Sequence, residues 1–255
     1  MAQTDKETDE IYGDVSKNPI DGLIPASQWC SDVCVNQEKV KQNLLEVQRD
    51  IVPYTVKIIA VTKYYGCDAI IAAYNAGLRN FGESRAIESI KKIESLPEDI
   101  RKNSKFHFIG HLQSNKAEKV VRYFDVIHSI DSLKIASIVS QIACGFNKRE
   151  KVLLQINNSG EKQKSGYTKD LLENDFRKII ELPGVEVVGL MNMAPIDANE
   201  EILKKLFKDM REYRNFLENK FSVKLPELSM GMSNDYKLAV KEGATAIRIG
   251  RKLFK

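Results

Sequence analysis

Apolar residues recur along the chain in two alternating rhythms. Val40, Leu44, Val47 and Ile51 follow Val33 at helical intervals, with charged residues between them, and Pro53 ends the pattern. This predicts an opening helix. Beyond it, apolar-rich runs at 56–62, 79–82, 106–110, 125–130, 151–157, 185–191, 226–230 and 245–250 read as strands. The intervals at 68–76, 84–95, 115–123, 132–143, 168–182, 199–219 and 233–241 read as helices. Regular alternation of this kind calls for a parallel sheet, and continuous runs such as Val152-Leu153-Leu154 fit strands buried on both faces. Eight units in 255 residues favour a single (β/α)8 TIM barrel with an extra N-terminal helix. The alternative, an open doubly wound sheet, often carries a Gly-rich first turn, and GxGxxG is absent. Residues 1–25 are polar and aperiodic and predict a flexible N-terminal extension, which leaves 26–255 for the barrel.

Composition narrows the function classes. Hydrophobic residues make up 43% and charged residues 29%, ordinary for a globular protein with a substantial core. Thirty-nine basic against thirty-five acidic side chains give a formal charge of +4 with no arginine-rich tract, so no nucleic-acid partner is expected. Cys30, Cys34, Cys67 and Cys144 form neither a CxxC pair nor a compact disulfide framework, which fits a reducing compartment. The first twenty residues lack a signal-peptide or transit pattern, and nothing approaches the ~20 apolar residues of a membrane span. The expectation is a soluble cytoplasmic protein.

The candidate chemistry starts at Lys63. It follows the run Val56 to Thr62 directly and is followed by loop-like residues, which puts its amine at the C-terminal end of a buried parallel strand. A lysine in such a place is most often a surface residue, and only its company raises the odds. Late in the chain, Leu228-Ser229-Met230-Gly231-Met232-Ser233 and Ala246-Ile247-Arg248-Ile249-Gly250 each read as a strand entering a small-residue loop, a form suited to phosphate. A partly desolvated amine attacks aldehydes readily, so a strand-end lysine with two phosphate-type loops points to pyridoxal 5′-phosphate. His107, His111 and His128 are the only histidines; His107 and His111 flank a strand end without an obvious fourth ligand, so no metal is expected. Packing or hydrogen bonding at the barrel rim is the role expected of them.

Taken together, several strings closely resemble the pyridoxal phosphate homeostasis protein family. They are Ile59-Ala60-Val61-Thr62-Lys63, Asn80-Phe81-Gly82-Glu83, the stretch Phe106 to Lys116, Lys164-Ser165-Gly166, Gly189-Leu190-Met191, the stretch Leu228 to Ser233 and Ile247-Arg248-Ile249-Gly250. That family shares the barrel of the alanine-racemase N-terminal domain. The resemblance implies that Lys63 is the Schiff-base lysine and that Ser229, Gly231 and Ser233, with Met230 among them, form the phosphate-side loop. It also implies that Gly250 and the next residue, Arg251, make a second phosphate contact, and that Arg248 faces the pyridine nitrogen. Ser84 stands where the family often has Asn, which puts a contact to the cofactor hydroxyl or ring in doubt. Arg251 stands where many members have Ser or Thr.

An arginine cannot give up its proton, so the ring would be a weak electron sink. Racemisation also needs two opposed bases, and racemase-like enzymes take the second from an additional β domain. The chain runs only to Lys255, and no such domain is expected. The expected function is therefore intracellular cofactor homeostasis, a carrier or buffer without strong catalytic activity. Its partners would be the cofactor and apo-enzymes that use it, and its state a monomer or weak dimer. The alternatives are a low-activity amino-acid racemase or other pyridoxal phosphate enzyme, and a regulatory protein reporting cofactor status to a partner.

Overall fold

The computed structural model describes residues 35–161, 165–195 and 197–255. The expected N-terminal extension, Cys30, Cys34 and Lys164 lie outside the described residues. Eight parallel strands form a closed barrel in sequence order. They are β1 (Lys57–Val61), β2 (Asn80–Glu83), β3 (Lys105–Phe108), β4 (Val126–Ile130), β5 (Glu150–Ile156), β6 (Val185–Asn192), β7 (Glu227–Met232) and β8 (Ala246–Ile249). Every predicted strand is present, and β8 closes on β1 through Ile59 opposite Arg248 and Ala60 opposite Ile249. The open-sheet alternative is ruled out by that closure.

The helices are α1 (Gln37–Ile51), α2 (Cys67–Asn75), α3 (Ala86–Glu94), α4 (Glu98–Lys102), α5 (Ala117–Tyr123), α6 (Leu133–Gly145), α7 (Lys169–Ile180), α8 (Glu200–Phe221), α9 (Tyr236–Lys241) and α10 (Arg251–Phe254). Asn36, Ser132, Thr168 and Asn199 cap α1, α6, α7 and α8, each side chain accepting a backbone N–H. The predicted boundaries at 132, 168 and 199 were therefore the caps, one residue before the helices. Two short helices, α4 and α10, were not anticipated from the pattern; five and four residues are too few to show a period.

α1 buries Val40, Leu44, Val47 and Ile51. α1 packs against α10, which follows β8, and against α2, which follows β1, and so covers the β8–β1 seam of the helix layer. Polar contacts fasten it there: Asn43 Nδ2 donates to Leu253 O at 2.9 Å, Lys252 pairs with Glu46, and Lys237 pairs with Asp50 at 2.8 Å. The N-terminal helix thus braces the ends of β7 and β8 from outside.

Most of the core lies between sheet and helices. Ile58, Ala60, Phe81, Leu154, Leu190, Leu228, Met230 and Ile247 join the helices' apolar faces there. The barrel interior is different. A small apolar cluster of Val126, Leu153, Val188 and Met191 fills one part of it. Buried polar side chains, His107, His128, Ser229 and Arg248, come from β3, β4, β7 and β8, and β6 adds the carbonyl of Asn192. Barrel interiors are usually packed with branched aliphatic residues, so this polar content marks something other than packing.

Glu150 opens β5 and is fully buried. Burial pushes its carboxyl up to about 7, although Lys148 Nζ lies 2.7 Å away and opposes the shift. A carboxyl with a raised folded pKa binds its proton more tightly in the native state than in the unfolded chain. Its favourable contribution is complete below about pH 4.5 and is lost as pH rises through about 7. Glu150→Gln is therefore expected to raise stability relative to the parent by on the order of 2 kcal/mol at pH 8, and by clearly less at pH 5. Urea unfolding at the two pH values measures this; equal effects at both would contradict it.

Candidate functional site at the barrel mouth

Four adjoining strand ends build the site. Thr62, just past β1, begins a turn closed by Tyr65 N donating to Thr62 O at 2.9 Å, and Lys63 stands half-buried at its first corner. Its Nζ lies 5.0 Å from the Tyr64 ring centre. The main chain beneath it is clamped. Lys92 Nζ, from α3, donates to Thr62 O at 2.9 Å and to Glu83 Oε1 at 2.7 Å, and Thr62 Oγ1 donates to the same Glu83 oxygen at 2.7 Å. Ser89 Oγ lies 3.1 Å from the other carboxylate oxygen. Glu83 and Lys92 form a buried ion pair with its partners in place, the arrangement that makes such a pair tolerable.

On the other side of β1 lies the end of β8. A Cβ on Gly250 would come 3.2 Å from Val61 O, so the two strand ends touch. Ser233 Oγ receives two backbone donors from this segment, Gly250 N at 3.4 Å and Lys252 N at 3.2 Å. Their long, convergent geometry is that of a nest able to hold an oxyanion. Gly231 holds φ +92, and a Cβ there would come 2.6 Å from Ala239 Cβ, so only glycine lets β7 turn this tightly over α9. Asp235 accepts the Met232 N–H. That bond keeps 233–235 in a turn, which is why α9 begins at Tyr236 and not at the predicted 233.

Below the mouth, Arg248 is buried, 4% exposed, without a carboxylate hydrogen-bonded to it among the described residues. Its Nη1 donates to Ser229 O and Ser229 Oγ, both at 2.7 Å, and its Nη2 to Asn192 O at 2.7 Å. Guanidinium carries five N–H donors, so two remain for a ligand. Burial pulls its pKa down to about 10, partly offset by Asp235, and it stays charged at neutral pH.

The predicted residues separate into groups. Lys63, Ser84, Gly231, Ser233 and Gly250 come together at the ends of β1, β2, β7 and β8. Ser84 is half-buried, and its carbonyl would lie 2.2 Å from a Cβ on Gly110, which explains that glycine. Arg251 is exposed at the start of α10. Ser229 and Met230 are placed differently. The Ser229 hydroxyl is fully buried inside the barrel between Arg248 and His128, and the Met230 side chain packs in the outer core. The alternation of a strand accounts for both, since consecutive residues face opposite ways and Ser229 lies a layer deeper than Gly231.

The histidines also separate, and the rim role expected of all three holds only for His111. His111 is exposed, 3.2 Å from Asp131, with Ser165 Oγ at 3.4 Å. His107 and His128 are buried inside the barrel. Runs as short as β3 and β4 do not show in sequence how far below the mouth a residue lies. Thr62, Glu83, Lys92 and Asn192 went unassigned; a Glu at a strand end and a Lys nine positions on carry no signature of a clamp.

The family model of the alanine racemase N-terminal domain matches residues 35–255, and this closed barrel is of that class. The pyridoxal phosphate homeostasis protein of Synechocystis sp. is 42% identical over 204 residues, 79% of this chain and 92% of its own length. That of Aquifex aeolicus is 38% identical over 198 residues, 78% of this chain and 86% of its own. The chain belongs to the pyridoxal phosphate homeostasis protein family. Among solved structures, PipY of Synechococcus elongatus PCC7942 with PLP bound is 36% identical and superposes with a TM-score of 0.77, over 85% of this chain and all of PipY.

The clamp beneath Lys63 has a measurable energy. Lys92→Met leaves the Glu83 carboxylate buried without its cation and is expected to cost roughly 3–5 kcal/mol in urea unfolding. Adding Glu83→Gln should recover part of that loss; a double variant no more stable than the single one would mean the pair is not the source.

Proposed function

We propose that this chain binds pyridoxal 5′-phosphate at the barrel mouth, holds it on Lys63 and hands it on, buffering a reactive aldehyde in intracellular pyridoxal phosphate homeostasis. The observation that carries this reading is the meeting of one lysine, two converging backbone donors and an arginine with two donors to spare on strands that adjoin in the barrel. The donor set suits a ligand with an anionic tail and an acceptor nitrogen. When bound, the cofactor would supply an aldehyde, and Lys63 Nζ is the amine that would hold it.

The chain's own residues divide the work. The Thr62, Glu83 and Lys92 cluster holds the backbone that carries Lys63. Ser233 Oγ and the N–H groups of Gly250 and Lys252 receive the phosphate, and the missing side chain of Gly231 keeps that loop tight. Arg251 would add positive charge outside it, and Ser84, at the end of β2, would be available to the cofactor's hydroxyl or ring. Arg248 would donate to the ring nitrogen and offer it no acidic proton, which would limit carbanion chemistry. Met230 contributes main chain only, and Ser229 acts through Arg248. A carrier with at most weak side activity follows. Its partners are apo-enzymes that use the same cofactor, and it works in the cytoplasm as a monomer or weak dimer. Among the described residues no helix is long and apolar enough to cross a membrane.

Borohydride treatment of the loaded protein, followed by peptide mapping, is expected to place the label on Lys63. Lys63→Ala should lose both the label and the visible band. A band that persists unchanged in Lys63→Ala would remove the central role of this residue.

One observation favours a second reading. His111 paired with Asp131 at the mouth has the make-up of a general base, so a slow amino-acid-acting enzyme is the alternative. Exchange of α-deuterium in alanine or serine separates the two. The carrier reading expects a rate close to that of free cofactor and no change in His111→Ala, whereas a fast rate lost in that variant supports the enzyme.

A further inference from the structure

Arg248 is the end of a longer line of contacts. Its Nη1 lies 2.7 Å from Ser229 Oγ, which lies 3.0 Å from His128 Nδ1. His128 Nε2 lies 2.9 Å from His107 Nδ1, and His107 Nε2 lies 3.0 Å from Asn80 Oδ1. The line crosses the barrel interior from β8 through β7, β4 and β3 to β2. All of it except Asn80 is buried, and neither histidine has a role in the site described above.

The sense of every bond in this line is fixed by its arginine end. A guanidinium has donors and no acceptor, so Ser229 Oγ must accept from Arg248. The hydroxyl's own proton then has one acceptor within reach among the described residues, His128 Nδ1. That makes His128 the tautomer with its proton on Nε2, which donates to His107 Nδ1. His107 in turn carries its proton on Nε2 and donates to the Asn80 carbonyl oxygen. The reverse sense fails at Ser229, whose oxygen would receive two donors while its proton had no acceptor. Both imidazoles must be neutral for the line to close, since a protonated ring has no acceptor nitrogen. Burial supplies this, holding His107 down at about 3 and His128 well below its ordinary value, with Lys57 adding to both shifts.

We propose that Asn80, His107, His128 and Ser229 form a one-way hydrogen-bond chain that aims Arg248 at the ring nitrogen of the bound cofactor, so that the two histidines are positioning residues of a site they do not touch. The proposal rests on the reading of the mouth as a pyridoxal 5′-phosphate site. It adds that the guanidinium is held from beneath by neutral groups placed in series. Because the last member of the chain accepts no proton, the line orients charge and conducts none to the ligand.

The experiment uses the full chain with pyridoxal 5′-phosphate as probe. Glutamine at position 128 can present an acceptor and a donor in place of the two ring nitrogens, whereas leucine presents neither. His128→Leu is expected to weaken binding on the order of tenfold and to move the visible band of the bound cofactor. His128→Gln should restore most of both, and borohydride should still label Lys63 in each variant at saturating cofactor. A band and affinity unchanged in His128→Leu overturn the chain. An affinity loss with an unmoved band also overturns it, because that is the signature of general destabilisation. Should His128→Leu not fold, nitrogen-15 spectra of the parent's histidines at pH 7 decide. Two neutral rings with protons on Nε2 support the chain, and an Nδ1 proton on either refutes it. If the parent itself takes no label on Lys63, the reading of the mouth falls and this proposal with it; a labelled parent with an unaffected His128→Leu removes the chain alone.

Discussion

A guanidinium can only donate, and Arg248 places one inside the barrel where every neighbour must answer it with a lone pair. Ser229 O, Ser229 Oγ and Asn192 O do so. Asp235 lies near enough to raise the arginine's pKa but bonds the Met232 N–H, so the charge is met by dipoles rather than by a carboxylate. Burying a charge is costly unless hydrogen bonds replace its water. That need explains why β3, β4, β6 and β7 turn polar side chains or carbonyls toward a space that barrels ordinarily fill with branched apolar residues.

Stability then has to come from elsewhere. The layer between strands and helices is continuous and apolar, from Ile58 and Leu154 on the strands to Phe176, Phe207 and Leu217 on the helices. The interior retains small apolar groups, among them the cluster of Val126, Leu153, Val188 and Met191. Folding and site are thus assigned to opposite faces of the same strands. The period of two lets consecutive residues serve both, as Ser229 and Met230 do.

This division also decides what could be read from the sequence. The eight strands and the long helices were legible because the outer core imposes a period on them, and caps such as Ser132 and Asn199 mark their starts. Lys63, Gly231, Ser233 and Gly250 were legible because each sits where a strand meets a loop. The inner polar layer was not. His107 and His128 look like isolated polar interruptions of short strands, and they become neighbours only when the barrel closes. Glu83 and Lys92 meet only because α3 folds back over β2. The family resemblance implies a phosphate-loop role for Ser229, although its facing sends the hydroxyl a layer deeper.

The closed interior also constrains which residue can stand at position 248. A carboxylate at position 248 would face Ser229 O and Asn192 O, two acceptors that would repel it, and burial beside them would force it to keep a proton. To hold it ionised, Ser229 and both histidines would have to reverse their bonds, and Asn80 would have to turn its amide to donate. No single substitution achieves that. Whether position 248 carries a donor or an acid is therefore set by five residues on separate strands, not by the arginine alone.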